Sequence, residues 1–135
     1  MLGCGYMRRL GIDYGSKRVG LALTDEAGDF AYPLVVLLNS AKLLDRIKTI
    51  CVNEQVGEIV LGESLNFRRQ QNPIMRAILK FKLRLERTSG LPVVFEDETL
   101  TTREAHHELG KDAMTDARAA AIILRQHLAR KLNKA

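Results

Sequence analysis

The stretch Leu10-Gly-Ile-Asp-Tyr-Gly-Ser-Lys-Arg-Val-Gly-Leu-Ala-Leu-Thr-Asp25 limits the folds open to this chain more than any other part of it. An apolar, strand-like run closes on Asp13, a glycine turn carrying Lys17 and Arg18 follows, and an alternating run starts again at Val19. Strands Leu10 to Ile12 and Val19 to Thr24, joined this tightly, pair antiparallel, and a third from roughly Tyr32 to Leu38 extends them into a meander with a second turn at Ala27-Gly28. Asp13 then lies at the lip of a sheet beside two cations, an arrangement suited to holding a metal against a phosphate. Nucleic-acid chemistry is the first hypothesis this raises.

Beyond the meander the periodicity changes. Ser40 is placed to cap a helix running to about Gln55, because Leu43, Leu44, Ile47, Ile50 and Cys51 keep one face apolar. Glu58-Ile-Val-Leu-Gly62 is a continuous apolar run after a helix, the mark of a buried parallel strand. Pro73 suits the first turn of the next helix, in which Ile74, Ile78, Phe81 and Leu85 share one face and Arg76, Lys80, Arg84 and Arg87 share another, a cationic stripe read as a solvated face in preference to one in direct phosphate contact. Gly90 ends that helix, and Pro92-Val-Val-Phe95 gives a further buried strand ending in Glu96, Asp97 and Glu98. Thr101 with Glu104 matches a capping box for a short helix to about Leu109. Thr115 or Asp116 opens the last helix, where Ala117, Ala119, Ala120 and Ala121 permit close packing on a neighbour. The order βββαβαβαα predicts an α/β fold with a mixed sheet and helices on its faces.

With 135 residues the chain is expected to form a single domain over 1–135, and its 46% hydrophobic and 27% charged fractions place it among water-soluble globular proteins. No apolar run approaches the roughly 20 residues that span a bilayer, which excludes a membrane protein of the helical kind. Met1 to Arg9 lacks the pattern of a secretory leader, so a cytoplasmic location is expected. Cys4 and Cys51 are too far apart for a metal-ligand spacing, and Cys51 reads as a small buried hydrophobe. The net charge of +5 favours a polyanionic partner.

Parallel strands bring their C-terminal ends to one edge, where ligands of open α/β sheets bind. Asp13, Glu63 and the Asp97-Glu98 pair all stand at such ends. Asp116 shares its helix face with Ala120 and Ile123, so from the first turn it projects toward the same edge. Acids converging without matching cations repel one another unless a hard divalent ion neutralises them, which implies Mg2+ or Mn2+, held as a pair of ions in two-metal phosphodiester hydrolysis. Each acid also has a structural reading: Asp13 as an Asx-turn residue, Asp116 as a helix-terminal acid, Glu63 as a solvated one. Alternation sends only one of Asp97 and Glu98 toward the edge.

These residues resemble the YqgF/RuvX family, described as Holliday junction resolvases with an RNase H-like fold and as pre-16S ribosomal RNA nucleases. The resemblance rests on Gly11-Ile-Asp-Tyr-Gly-Ser-Lys-Arg-Val-Gly20, Ile59-Val-Leu-Gly62 with Leu65-Asn66, Leu91-Pro-Val-Val-Phe95 followed by Asp97-Glu-Thr-Leu-Thr-Thr-Arg-Glu-Ala105, and Asp116 with Ala119-Ala120 and Ile123-Leu124. It implies an RNase H-like mixed sheet of five strands, three antiparallel and then two parallel. It also implies a metal-dependent nuclease whose acids fall on Asp13, Glu98 or Asp97, and Asp116. Two departures stand out: Glu63-Ser64 replaces a Gly-Leu-Pro-like loop, putting Glu63 where the related RuvC resolvases have a strand-end glutamate, and Thr99 replaces an arginine.

The leading expectation is therefore an endonuclease acting on Holliday junction DNA or the precursor of 16S ribosomal RNA. Asp13, Glu98 and Asp116 would be catalytic, Asp97 and Glu63 further metal ligands, and Lys17, Arg18, Arg68 and Arg69 backbone contacts. A non-catalytic nucleic-acid-binding module on the same fold is the alternative. The Asp13-x-Gly15-Ser16 turn also looks like the phosphate loop of actin-like ATPases and sugar kinases, but those need two lobes. Leu79 and Leu83 widen the apolar surface of the long helix, which suits a homodimer or a wider core.

Overall fold

The computed structural model describes residues 7–63, 74–97 and 114–134. Within them lie strands β1 (Arg8–Tyr14), β2 (Arg18–Thr24) and β3 (Ala31–Leu38), helix α1 (Leu43–Asn53), β4 (Val56–Glu63), α2 (Met75–Ser89), β5 (Val93–Asp97) and α3 (Thr115–Lys134). The strands form one sheet in the order β3-β2-β1-β4-β5. The pairs β1–β2 and β2–β3 are antiparallel, while β1–β4 and β4–β5 are parallel. This is the mixed sheet the sequence predicts, with the strand that carries Asp13 at its centre.

Strand alternation sorts the side chains onto two faces. Leu10, Ile12, Leu21, Leu23, Ile59 and Leu61 form the larger core with Ile47 of α1 and Ile78, Phe81 and Leu85 of α2. On the other face Ala22, Ala31 and Val60 meet Ala120, Ala121, Ile123 and Leu124 of α3. Small residues on both sides let α3 lie very close to the sheet. A Cβ added at Gly11 would stand 2.9 Å from the Ala120 carbonyl oxygen, so the alanine run serves the close packing expected of it.

The helix ends show where local signals suffice. α2 stops at Gly90, whose φ of 71° is the left-handed cap conformation and whose N–H donates to the Glu86 carbonyl at 2.9 Å. Arg76, Lys80, Arg84 and Arg87 are exposed, and Leu79 and Leu83 also face outward. α1 departs from expectation. Ser40 closes a turn instead of capping the helix, its Oγ accepting from the Lys42 N–H and its carbonyl from the Leu43 N–H, so regular helix begins at Leu43. The helix stops at Asn53, short of the expected Gln55, because Gln55 turns to a φ of 57° to enter β4. Pro73 and the expected helix from Thr101 to Leu109 lie outside the described residues. Cys51 is buried, and burial pushes its thiol up to about 11, as befits an inert core residue. Among the described residues no helix is long and apolar enough to cross a membrane.

A polar seam lies on the α3 face at β4 and β5. Arg9 Nε is 2.7 Å from Glu58 Oε1, and the buried Glu96 carboxylate meets His127 Nδ1 at 3.2 Å and Arg130 Nε at 3.0 Å. His127 Nε2 also comes within 3.5 Å of Glu58, so α3 is bound to both strands. Burial alone would raise the Glu58 carboxyl, but the Arg9 hydrogen bond and the charges of Lys131, Arg9 and His127 outweigh it and hold the group below the usual range. A depressed folded-state value gives stability that is full above the unfolded value and is lost as pH falls through the folded one. Glu58→Gln is therefore expected to cost about 1–3 kcal/mol at pH 7. Urea denaturation across a pH series should show the gap to the parent closing in acid.

Candidate active site

Asp13 is the penultimate residue of β1 and shares its parity with Gly11, which places it on the α3 face. It is only 9% exposed, an unusual setting for a carboxylate. Its cross-strand partner is Gly20 of β2, and Gly20 is where the start of α3 presses onto the sheet: an added Cβ would collide with the backbone of Asp116 and Ala117. Two acids far apart in the chain are thereby brought to the two sides of one glycine. Asp116 sits in the first turn of α3, where the positive end of the helix dipole favours a negative charge.

Cations stand beside this pair. Arg18 opens β2 and brings its Nε to 3.5 Å from Asp116 Oδ2, while more than half of its side chain remains exposed. Lys17 is exposed in the turn between. That turn is tied from the end of β3, where the Asn39 side chain donates to the Gly15 carbonyl at 2.8 Å and the Asn39 N–H to the Lys17 carbonyl at 2.9 Å. The sequence reading assigned Arg18 to phosphate contact alone and missed its pairing with Asp116, which depends on how α3 crosses β2.

Glu63 and Asp97 end β4 and β5 and are register partners. Gly62 packs against Ile123 of α3, so alternation assigns Glu63, with Leu61, to the opposite face from Asp13. Asp97 shares that parity, but at the strand terminus its Oδ2 comes within 3.8 Å of Arg130 Nη2 on α3. Glu98, Arg68 and Arg69 lie outside the described residues. Among the described residues no three acids, histidines or cysteines converge as a metal-holding group. The structure thus sets Asp13 and the start of the helix carrying Asp116 on either side of Gly20, while strand alternation assigns Glu63 to the other face. Glu96 and His127, which the sequence reading left without a role, prove to be buried partners in the seam that seats α3. The only hint of this in the sequence was the spacing of His127 and Arg130, three apart on one helix face.

Comparison with known proteins identifies the family and the fold. A family model described as RuvX, Holliday junction resolvase, matches residues 7–130. A protein of Maridesulfovibrio salexigens, whose name marks it as a candidate pre-16S rRNA nuclease, is 35% identical over 92% of this chain and 99% of its own length. A Desulforudis audaxviator protein of the same name is 37% identical over 90% of this chain and 94% of its own. Among solved structures, Thermus thermophilus RuvC in complex with a Holliday junction substrate superposes with a TM-score of 0.62 at 19% identity, covering 93% of this chain and 96% of that one. The fowlpox virus Holliday junction resolvase gives 0.55 at 13% identity, with 93% and 99% covered. At these identities the structural matches establish the shared fold.

Gly20→Ala is expected to displace the start of α3, because the obstacle is backbone and cannot rotate away. The expected cost is about 3 kcal/mol in thermal or urea unfolding, at the upper end for overpacking. A Gly90→Ala control, in open space but at positive φ, should fall nearer 1 kcal/mol.

Proposed function

The chain belongs to the RuvX family of Holliday junction resolvases, and on that premise we propose that it is a divalent-metal-dependent endonuclease of structured nucleic acid. Branched DNA and the precursor of 16S ribosomal RNA are the two substrates to compare. The observation that supports the reading is the placement of Asp13 and of the start of the helix carrying Asp116 on either side of Gly20, at the rim where β1 ends.

The carboxylate oxygens of Asp13 and Asp116 are hard donors, and one of them is nearly withdrawn from water, which fits a hard divalent cation. Mg2+ or Mn2+, as two ions, would be held by Asp13 and Asp116 with Glu98 or Asp97 completing the set, and would supply activation of water and neutralisation of charge at the phosphate. The protein's own groups divide the remaining work. Burial and the close seating of α3 hold the two acids in fixed relation, so no rearrangement is needed when substrate arrives. Arg18, exposed along much of its length and in loose contact with Asp116, is free to swing onto a phosphate oxygen, and Lys17 stands next to it. Arg68 and Arg69 are assigned to the substrate backbone by their basic character alone. Glu63 remains an added ligand only if substrate draws it over the rim.

The chain is read as one domain acting in the cytoplasm. Leu79 and Leu83, exposed on α2, are proposed as the contact of a homodimer, which would set two such sites on opposite strands of a junction.

Asp13→Asn should lower cleavage of both substrates by at least about 100-fold in magnesium while leaving binding intact. Chelation should abolish parent activity, and added Mg2+ or Mn2+ should restore it. Full activity in the variant overturns the assignment of Asp13. Metal-independent binding without turnover in the parent would instead favour the non-catalytic module.

A further inference from the structure

A cavity of about 230 Å³ opens on the opposite face of the sheet from Asp13, at the same rim. Tyr14 and Phe81 form its apolar floor, their rings 4.6 Å apart between centroids, and Asn39, Ser40, Lys80 and Arg84 supply its polar wall. Among the described residues no carboxylate lines it, and neither Lys80 nor Arg84 has an acidic partner. The other cations of α2 differ. Arg76 and Arg87 are also exposed but do not line the cavity.

Two uncompensated cations over a concave polar surface attract an anion, and an aromatic floor beside them suits the sugar or base attached to a phosphate. The cavity is also mechanically joined to the candidate active site. Asn39, on its wall, holds the Gly15 and Lys17 carbonyls of the turn that carries Lys17 and Arg18. Tyr14, in its floor, is the residue after Asp13. We propose that this cavity is a second backbone subsite, taking one phosphate-linked nucleotide of the same nucleic-acid strand that is cut at the Asp13–Asp116 rim. The inference rests on the nuclease reading given above. A strand leaving the acids would cross the Lys17 turn and place a flanking phosphate between Lys80 and Arg84.

Fluorescence anisotropy with a labelled branched DNA and a labelled single-stranded oligonucleotide, in EDTA to prevent cleavage, tests this directly. Lys80→Gln/Arg84→Gln should weaken binding at least about 10-fold and lower the slope of log K against log salt by about 1 to 2. The matched control Arg76→Gln/Arg87→Gln, which removes the same charge from the same helix, should change affinity less than about 3-fold. Far-ultraviolet circular dichroism confirms that α2 is intact in both. Equal losses in the two double variants would reduce the effect to overall charge and overturn the subsite, as would no loss in the first. Competition by free nucleoside monophosphate as effective as that by the oligonucleotide would reassign the cavity to a small ligand. A parent that binds no nucleic acid either in EDTA or with Ca2+ supplied in its place would fail the nuclease reading itself, an outcome distinct from a parent that binds through other residues.

Discussion

The rest of the structure depends on how closely α3 approaches the sheet. Gly11, Gly20 and Gly62, on three adjacent strands, each leave a space that a helix atom fills, and the helix answers with alanines at 117, 119, 120 and 121. Such packing without side-chain spacers leaves little freedom for the helix to slide, since interiors this dense lose energy when volume changes by even a methylene. Because Asp116 lies in the first turn of that helix and Asp13 lies across from Gly20, the separation of the two acids is set by backbone contact.

Electrostatics works in the same direction. The seam of Arg9, Glu58, Glu96, His127 and Arg130 fastens the later turns of α3 to β4 and β5, while Arg18 meets its first turn from β2. Buried ionic groups of this kind contribute little net stability, because desolvation offsets their attraction, but they penalise any alternative seating that would separate them. Hydrophobic contact supplies the driving force for docking and the charged groups restrict it to one register.

Local pattern made much of this legible. Alternation located the three strands of the meander, the terminal acid of β1 stood out against glycine turn chemistry, and Gly90 marked the end of α2 by the one conformation it adopts readily. What escaped was whatever depended on the order of strands. Glu63 reads either as solvated or as an extra ligand, since both it and Asp13 end a strand and the face toward which α3 packs is not written locally. Glu96 and His127 could not be paired from sequence, since nothing local relates the end of β5 to the middle of the last helix. Ser40 had the right chemistry for a cap and a position two residues too early.

Asp13 and Tyr14 are consecutive, yet one faces α3 and the other faces α1 and α2, so at this point the sheet is a partition a single residue thick. Any polymer that touches both sides must fold over the edge of that partition within a few units of its length. Continuous double helix, stiff over about 150 base pairs, resists so sharp a curve, whereas strands at crossovers, loops and frayed ends bend freely. Discrimination between forms of nucleic acid can thus arise from the thinness of the protein at its edge, with no base being read.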